Sequence, residues 1–432
     1  MVFFTAMGMQ HRIAHRGRIL RFAAGAACCL AGTAGGDASL QAMIDAAPDG
    51  AVLNPPSGRY AGGVVISKRL TLDGGGKVTV DAQGRGTVVT VRATGVTLRG
   101  LHLTGSGDSH DASDAGVLVE SDRANIVDNR LDDVLFGIHL KQSWFSTVRG
   151  NSIRGRPADL NLRGDGIRLW NSVSNRVERN RIDAARDFTL ANSSGNTIAG
   201  NEIRNGRYGM HLVFSPRNVV EDNALTGNTT GIAVIYSDFN VIRRNRILDS
   251  RDVAGAGLAF KESNQVRVEG NEVVNCTVGV QANAPIHPGN LIHFHNNRFA
   301  HNITGMFFYG EKGGHIVHGN RFEKNLVQVA VSGPTSARGN DWRSNTWDDY
   351  EGFDRDGDGV GDTPYELWSY ADRIWMETPM ARFFRDSPLL ELLDFLEHLA
   401  PFLPPDLVLR DPQPRFERRL PAVPADDRVH PP

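Results

Sequence analysis

The chain is short of cysteine, of methionine, of net charge and of long apolar runs. Three cysteines occur in 432 residues, and Cys28 and Cys29 fall in a segment expected to be removed, which leaves Cys276 alone. A single thiol excludes an intramolecular disulfide. Cys276 follows an apolar stretch and is expected to be a packed core thiol, with a ligand role as the alternative. The formal charge of −2 gives no electrostatic reason to expect a nucleic acid or an anionic membrane as partner. No uninterrupted run of roughly twenty apolar residues occurs, so a transmembrane helix is not expected. Motifs of several enzyme classes are absent as well. There is no GxSxG elbow and no paired CxxC, and Gly74-Gly75-Gly76-Lys77 is followed by Val78, where a phosphate loop needs Ser or Thr.

What is abundant is glycine, with 47 residues, and asparagine at regular intervals. At the N-terminus Arg16, Arg18 and Arg21 precede a short apolar run from Phe22 to Ala31 and then small residues to Gly36. Residues 1–36 therefore read as a signal peptide and imply export.

Asparagines precede an apolar residue at Asn129, Asn151, Asn180, Asn201, Asn223, Asn245, Asn271, Asn297 and Asn320, mostly 21 to 26 positions apart. A period of that size means one supersecondary unit per repeat. Each unit carries glycine and then an alternating strand, as in Gly137-Ile138-His139-Leu140 and Gly231-Ile232-Ala233-Val234. A second strand places Val148, Val177, Ile198, Val220, Ile242, Val268, Phe294 and Val317 three positions before the asparagines, where stacking makes an apolar ladder. The asparagines are expected in the turns because they tolerate left-handed backbone and their side chains can bond to backbone groups there. So many Gly, Asn and β-branched residues would destabilise helices, which excludes a helical solenoid. The expected fold is all-β, a right-handed parallel β-helix over 37–350, with roughly a dozen coils of about 23 residues.

Exposed strand edges at the ends require caps. Ser39 to Ala47 is expected to form a short helical one. Residues 351–366 form an Asp/Gly-rich loop, and in 367–402 Leu389, Leu392, Leu393, Leu396 and Leu399 follow Ser387-Pro388 at helical spacing, giving a helical cap or docking segment. Residues 403–432 are rich in Pro, Arg and Asp and are expected to be extended or disordered. Arg156 to Asn161 reads as a loop inserted on one side of the coil.

The opening from Val64 to Gly107 looks like the first coils of secreted carbohydrate-binding or sugar-hydrolase-like β-helix proteins, a likeness of fold alone. More specific are GDGIRLWNS from Gly164, RYGMHLVFS from Arg207, GNDWRSNTWDDYEGFDRDGDGVGDTPYE from Gly339 and DRIWMETPMARFFRDSP from Asp372. In that order and spacing they resemble the NosD family through nearly the whole mature chain. The resemblance implies a periplasmic maturation factor, without turnover of its own, that works with the permease and ATPase subunits of an ABC transporter and a copper chaperone to supply copper to nitrous oxide reductase. One departure from copper-handling habit is the scarcity of methionine: Met210, Met306, Met376 and Met380, with Met43 near the start.

The residues themselves offer two metal readings. His295 and His318 share a register position and His293 lies two residues before His295, so three imidazoles are expected on one outward face. Imidazole suits copper. A solvated polar face is the alternative. Met210 beside His211 offers a soft ligand for cuprous copper, unless Met210 fills the core. His139 and His211 share a column but lie three coils apart. The run from Asp354 to Asp362 places Asp354, Asp356, Asp358, Val360 and Asp362 at positions 1, 3, 5, 7 and 9 of a calcium loop, with Gly359 at position 6 and Tyr365 instead of glutamate at 12. A hydrated Asp-Gly turn is the alternative. Two rival functions remain open: a uronate epimerase or lyase using Asp165, Arg168, Asp187, Tyr208 and His211, although no DPHD motif occurs, and a non-catalytic glycan-binding scaffold using Trp144, Phe145, Trp170 and Tyr236.

Overall fold

The structure is a computed structural model that describes residues 39–283, 291–309, 313–332, 336–369 and 406–416. Parallel strands from successive repeats pair in register, so residues one repeat apart become vertical neighbours. One face is a 12-stranded parallel sheet, here the narrow sheet, running from Val64–Ile66 to Val327–Val331. The broad sheet has 24 strands, two from most coils. The result is a parallel β-solenoid, as the repeat requires.

The ladder read from the sequence is the centre of the core. Val148 pairs with Val177, then Ile198, Val220, Ile242, Val268, Phe294 and Val317 in unbroken register. All eight are fully buried. Burying one such side chain stabilises the fold by about 1.5–3 kcal/mol, so each coil depends on the neighbour that covers it. The glycine that opens each narrow-sheet strand has a steric reason. A Cβ on Gly231 would lie 2.4 Å from the Gly257 carbonyl oxygen of the next coil, and one on Gly137 would meet Gly166 as closely.

The asparagines do not take the left-handed conformation expected of them. The residue just before takes it, as Asp128, Arg179, Asp222, Arg244 and Asn296 do with φ of 51–56°. The asparagines point inward, at most 2% exposed. From Asn151 onward each Oδ1 accepts the backbone N–H and the side-chain Nδ2–H of the asparagine one coil earlier, as Asn223 does from Asn201 at 2.9 and 3.0 Å, while Asn129 accepts the Leu101 N–H. Each Nδ2 also donates to a strand carbonyl of the preceding coil, as Asn223 does to Ile198 at 3.0 Å. An amide has both donors and an acceptor, which is what a repeating buried rung needs. A second asparagine file, Asn175, Asn196, Asn218 and Asn240, and a serine file through Ser172, Ser193 and Ser215 run alongside.

At the start, helix Leu40–Ala46 buries Leu40 and Ile44 against the first coil, and Ser39 Oγ caps it by accepting the Ala42 N–H at 3.2 Å. The far end departs from expectation. Residues 370–405, which contain the expected leucine helix, lie outside the described residues. Residues 367–369 belong to a strand, Tyr365–Ser369, that pairs antiparallel with Asp406–Asp411, so the boundary placed at 366 cuts through an element. The expected loose tail is likewise corrected for 406–411. Val408 and Leu409 are buried in the core, and Asp411 accepts the Asn345 N–H and Nδ2–H at 3.1 and 2.9 Å. Three consecutive apolar residues and one acceptor outweighed the polar composition around them. Phe322, Trp347 and Tyr365 stack in series beneath this closure, with centroids 4.2 and 4.3 Å apart.

Candidate functional site

The narrow sheet carries a polar patch where most outward positions are small or apolar. Register stacks Leu118, His139, Arg168, Thr189, His211 and Ala233 in one outward column. A bulge between Asp187 and Thr189 lets Tyr208 and His211 pair across the gap. Irregularities of that kind re-aim side chains beside functional surfaces. Asp165, Arg168, Asp187, Tyr208 and His211 therefore share a face. Asp165 and Asp187 are buried, however, and held by cations: Arg186 reaches Asp165 at 2.8 Å and Asp187 at 3.2 Å, and Arg207 donates to Asp187 at 3.1 Å. Burial pushes the Asp165 carboxyl up despite Arg186. His211 stacks on Tyr208 with centroids 4.5 Å apart, and burial lowers its pKa. The inserted loop includes the turn Leu160–Leu162, and its Arg156 binds Asp108 and the Ser106 carbonyl.

His139 was noticed in the sequence only as too far from His211 to share an ion. It is 4% exposed, and neither ring nitrogen has a hydrogen-bond partner. Burial, with Arg168 and Lys141 nearby, depresses its pKa from 6.5 to about 3. The unfolded chain therefore takes up this proton first, so the contribution to stability is complete above pH 6.5 and is lost as pH falls toward 3. His139→Gln is expected to flatten the acid side of the stability curve. Urea midpoints measured from pH 7 to pH 4 check this, and an unchanged slope would refute it.

On the broad sheet, His295 pairs with His318 and His293 with Ile316. Ring centroids are 6.1 Å apart for His293 and His295 and 5.7 Å for His295 and His318. The three imidazoles share a face but do not converge. Among the described residues, the one group of three metal-ligating side chains with donor atoms within 4.8 Å of one another is Asp354, Asp356 and Asp358. His293 is held by Gln265 Oε1 at 3.1 Å, and His318 Nε2 lies 3.0 Å from Asp341. Burial and the neighbouring imidazoles lower the pKa of His293 and His295, which keeps their lone pairs available.

Met210 and Met306 are fully buried in the core, so Met210 faces away from its neighbour His211 and cannot share an ion with it. Alternation along a strand makes this unavoidable. Met376 and Met380 lie outside the described residues. In the acidic loop, Asp354 accepts the N–H of Gly357 and of Gly359, Asp358 that of Val360 and Asp362 that of Arg355. Cys276 is buried, its pKa raised to about 11 by burial, as a packed thiol should be.

Together the coils, files and closure place the chain in the class of parallel β-solenoid proteins. It is 30% identical over 387 residues to the probable ABC transporter binding protein NosD of Pseudomonas aeruginosa, covering 85% of this chain and 88% of that protein. The chain belongs to the NosD family. The protein of the same name from Stutzerimonas stutzeri is 28% identical over 376 residues, or 81% of this chain and 83% of that one. A family model described as periplasmic copper-binding protein (NosD) matches residues 149–352. Solved structures of similar shape include the A-module of a mannuronan C-5 epimerase from Azotobacter vinelandii, with TM-score 0.43, 16% identity, and 70% and 93% coverage of the two chains. The Dettilon tailspike protein gives TM-score 0.47, 15% identity, and 72% and 66% coverage.

Proposed function

We propose that this chain is a periplasmic accessory protein in copper-site maturation of nitrous oxide reductase, acting with the permease and ATPase subunits of an ABC transporter and with a copper chaperone. The observation that carries the reading is family membership across 85% of the chain. No helix among the described residues is long and apolar enough to cross a membrane. The rival epimerase or lyase reading is disfavoured by the state of its acids. Asp165 and Asp187 are each 2% exposed at the side chain and tied to Arg186 and Arg207, so neither can reach a bound sugar. Deleting the gene and measuring copper in exported nitrous oxide reductase tests the reading. Copper-poor reductase is the expected result, and normal loading would exclude the role.

Copper enters as cargo. We place its transient contact at His295 and His318, adjacent across one coil, with His293 beside them. A cuprous titration is expected to show affinity at least about tenfold weaker in a His293/His295/His318 triple alanine variant than in the wild type, in line with the loss of preferred nitrogen ligands. Equal affinity would remove the site. The same titration with calcium tests the reading of Asp354, Asp356, Asp358, Asp362 and the Val360 carbonyl as a structural calcium loop. There Asp356→Asn with Asp358→Asn should abolish binding.

A further inference from the structure

In six consecutive coils, from Gln142 to Gln265, the turn after the narrow-sheet strand holds two residues of left-handed backbone, and they line up coil on coil along one edge of the solenoid. In two adjacent coils these positions are Asn171 with Ser174 and Asn192 with Gly195, with φ of 47–64°, and all four are short polar residues or glycine. In the coils on either side, four of the same positions are instead filled by Phe145, Phe214, Tyr236 and Phe239, with φ of 48–57°. Left-handed backbone is disfavoured for large side chains. Burial repays only part of this, since these rings are 59%, 54%, 45% and 48% exposed. Phe214 and Tyr236 stack on each other one coil apart, 5.2 Å between centroids and 8° between planes. Backbone strain that folding does not need points to a surface kept for another purpose.

The cations on this edge are equally unusual. Arg123 lies over Phe145 at 5.7 Å and Arg217 over Phe239 at 5.3 Å, and beside the edge, on the strand Ile167–Trp170, Arg168 lies over Trp170 at 5.1 Å. None of the three has a carboxylate within ion-pair distance among the described residues. On the broad sheet, by contrast, Arg181, Arg243 and Arg298 each hold a glutamate. Guanidinium groups set against aromatic faces and without a carboxylate of their own are what a carboxylate-bearing partner would complete.

We propose that this turn edge, from Arg123 to Phe239, is the docking surface for an acidic helical segment of a partner protein. Its carboxylates would meet Arg123, Arg168 and Arg217, and its apolar side chains the exposed rings. The two aromatic shoulders stand three coil spacings apart, roughly 14 Å at about 4.8 Å per coil. Between them lie the small residues Asn171, Ser174, Asn192 and Gly195. That seat is close to the width of one helix with its side chains, about 10–12 Å. The inference rests on the partner-docking reading of the coil surface given above and names the edge and the chemistry that would serve it.

The test uses the whole mature chain and three purified probes: copper-free nitrous oxide reductase, the copper chaperone, and the transporter complex in detergent. Wild type is compared with a Phe214→Asn/Tyr236→Asn/Phe239→Asn variant and with an Arg123→Glu/Arg217→Glu variant. Asparagine suits the left-handed turns, so the triple variant is expected to melt at or above the wild-type temperature. Binding to one of the probes is expected to weaken at least about tenfold in both variants, with the wild-type contact weakening as salt rises. Wild type binding none of the three would overturn the docking reading itself. Wild type binding while both variants bind equally well would overturn this inference alone. A marked fall in melting temperature for the asparagine variant would show that the rings serve the fold. Uronate oligomers bound by wild type and lost in the variants would make the edge a glycan site instead.

Discussion

Replacing Asn223 by alanine should cost about 3–5 kcal/mol of folding stability, since each buried group left without its partner costs about 1–3 kcal/mol. The side chain accepts two N–H groups from Asn201 and donates to the Ile198 carbonyl at 3.0 Å and to Asn245 Oδ1 at 2.9 Å. Alanine leaves the buried Asn201 N–H without its acceptor and the Ile198 carbonyl without the amide, and takes one bond each from Asn201 Nδ2, which keeps the Val177 carbonyl, and Asn245 Oδ1, which keeps the residue 223 N–H. Asn223→Asp separates the two halves of the role, because a carboxylate still accepts from Asn201 but can no longer donate to Ile198 or Asn245. At neutral pH its charge would be buried without a cation and against two acceptor oxygens, so it should be at least as damaging as alanine. The measurement is the urea midpoint together with hydrogen exchange at coils either side, since a stacked array can open locally before it unfolds. A loss below about 1 kcal/mol would mean that water replaces the amide and that the file is not a structural requirement.

Asp411→Ala should cost nearly as much, about 3 kcal/mol, and its effect should stay at the C-terminal end. Asp411 Oδ2 accepts from Asn345 N, Asn345 Nδ2 and Trp347 Nε1 at 3.1, 2.9 and 3.3 Å, and Oδ1 from Gln413 N at 3.1 Å. Removing it leaves the Asn345 backbone N–H without its acceptor, while Asn345 Nδ2 keeps the Val317 carbonyl at 2.8 Å, and releases Asp406–Asp411 from its place over the core. Faster amide exchange at Ser344 to Trp347 and at Leu407 to Leu409 is the expected readout. Asp411→Asn keeps an acceptor oxygen and should be far milder. If alanine and asparagine behave alike, the end of the file is not what holds the strand down.

The coil was legible because its period repeats a chemical requirement. Each apolar residue three positions before an asparagine had to meet its counterpart, and the register from Val148 to Val317 follows. The asparagines were found but misread. Their abundance beside turns suggested left-handed backbone, which the preceding residue takes instead, and bonding to backbone groups, which they do make, but as amides that face the interior. The Asp406–Asp411 strand was hidden because its partners lie far away in sequence, 66 positions in the case of Asn345, and local composition says nothing about such a pairing. The histidines were placed on the right face by counting. Counting could not say where imidazole nitrogens point, and alternate residues on a strand, roughly 6.6 Å apart, hold His293 and His295 away from a common ion. The aromatic edge was half visible. Trp144, Phe145, Trp170 and Tyr236 stood out as exposed rings, but Phe214 and Phe239 became significant only once their backbone was seen to be left-handed.

Within the file that runs from Asn129 to Asn345, every side chain offers the same two-way connector, and Asp411 is the first member that can only receive. A carboxylate there acts as a terminator. Coils upstream are interchangeable units as far as this wiring is concerned, so lineages could lengthen or shorten the shaft by whole turns while the closing strand stays the same. The distance between the two ends of the molecule is thereby free to evolve independently of the chemistry displayed along its sides.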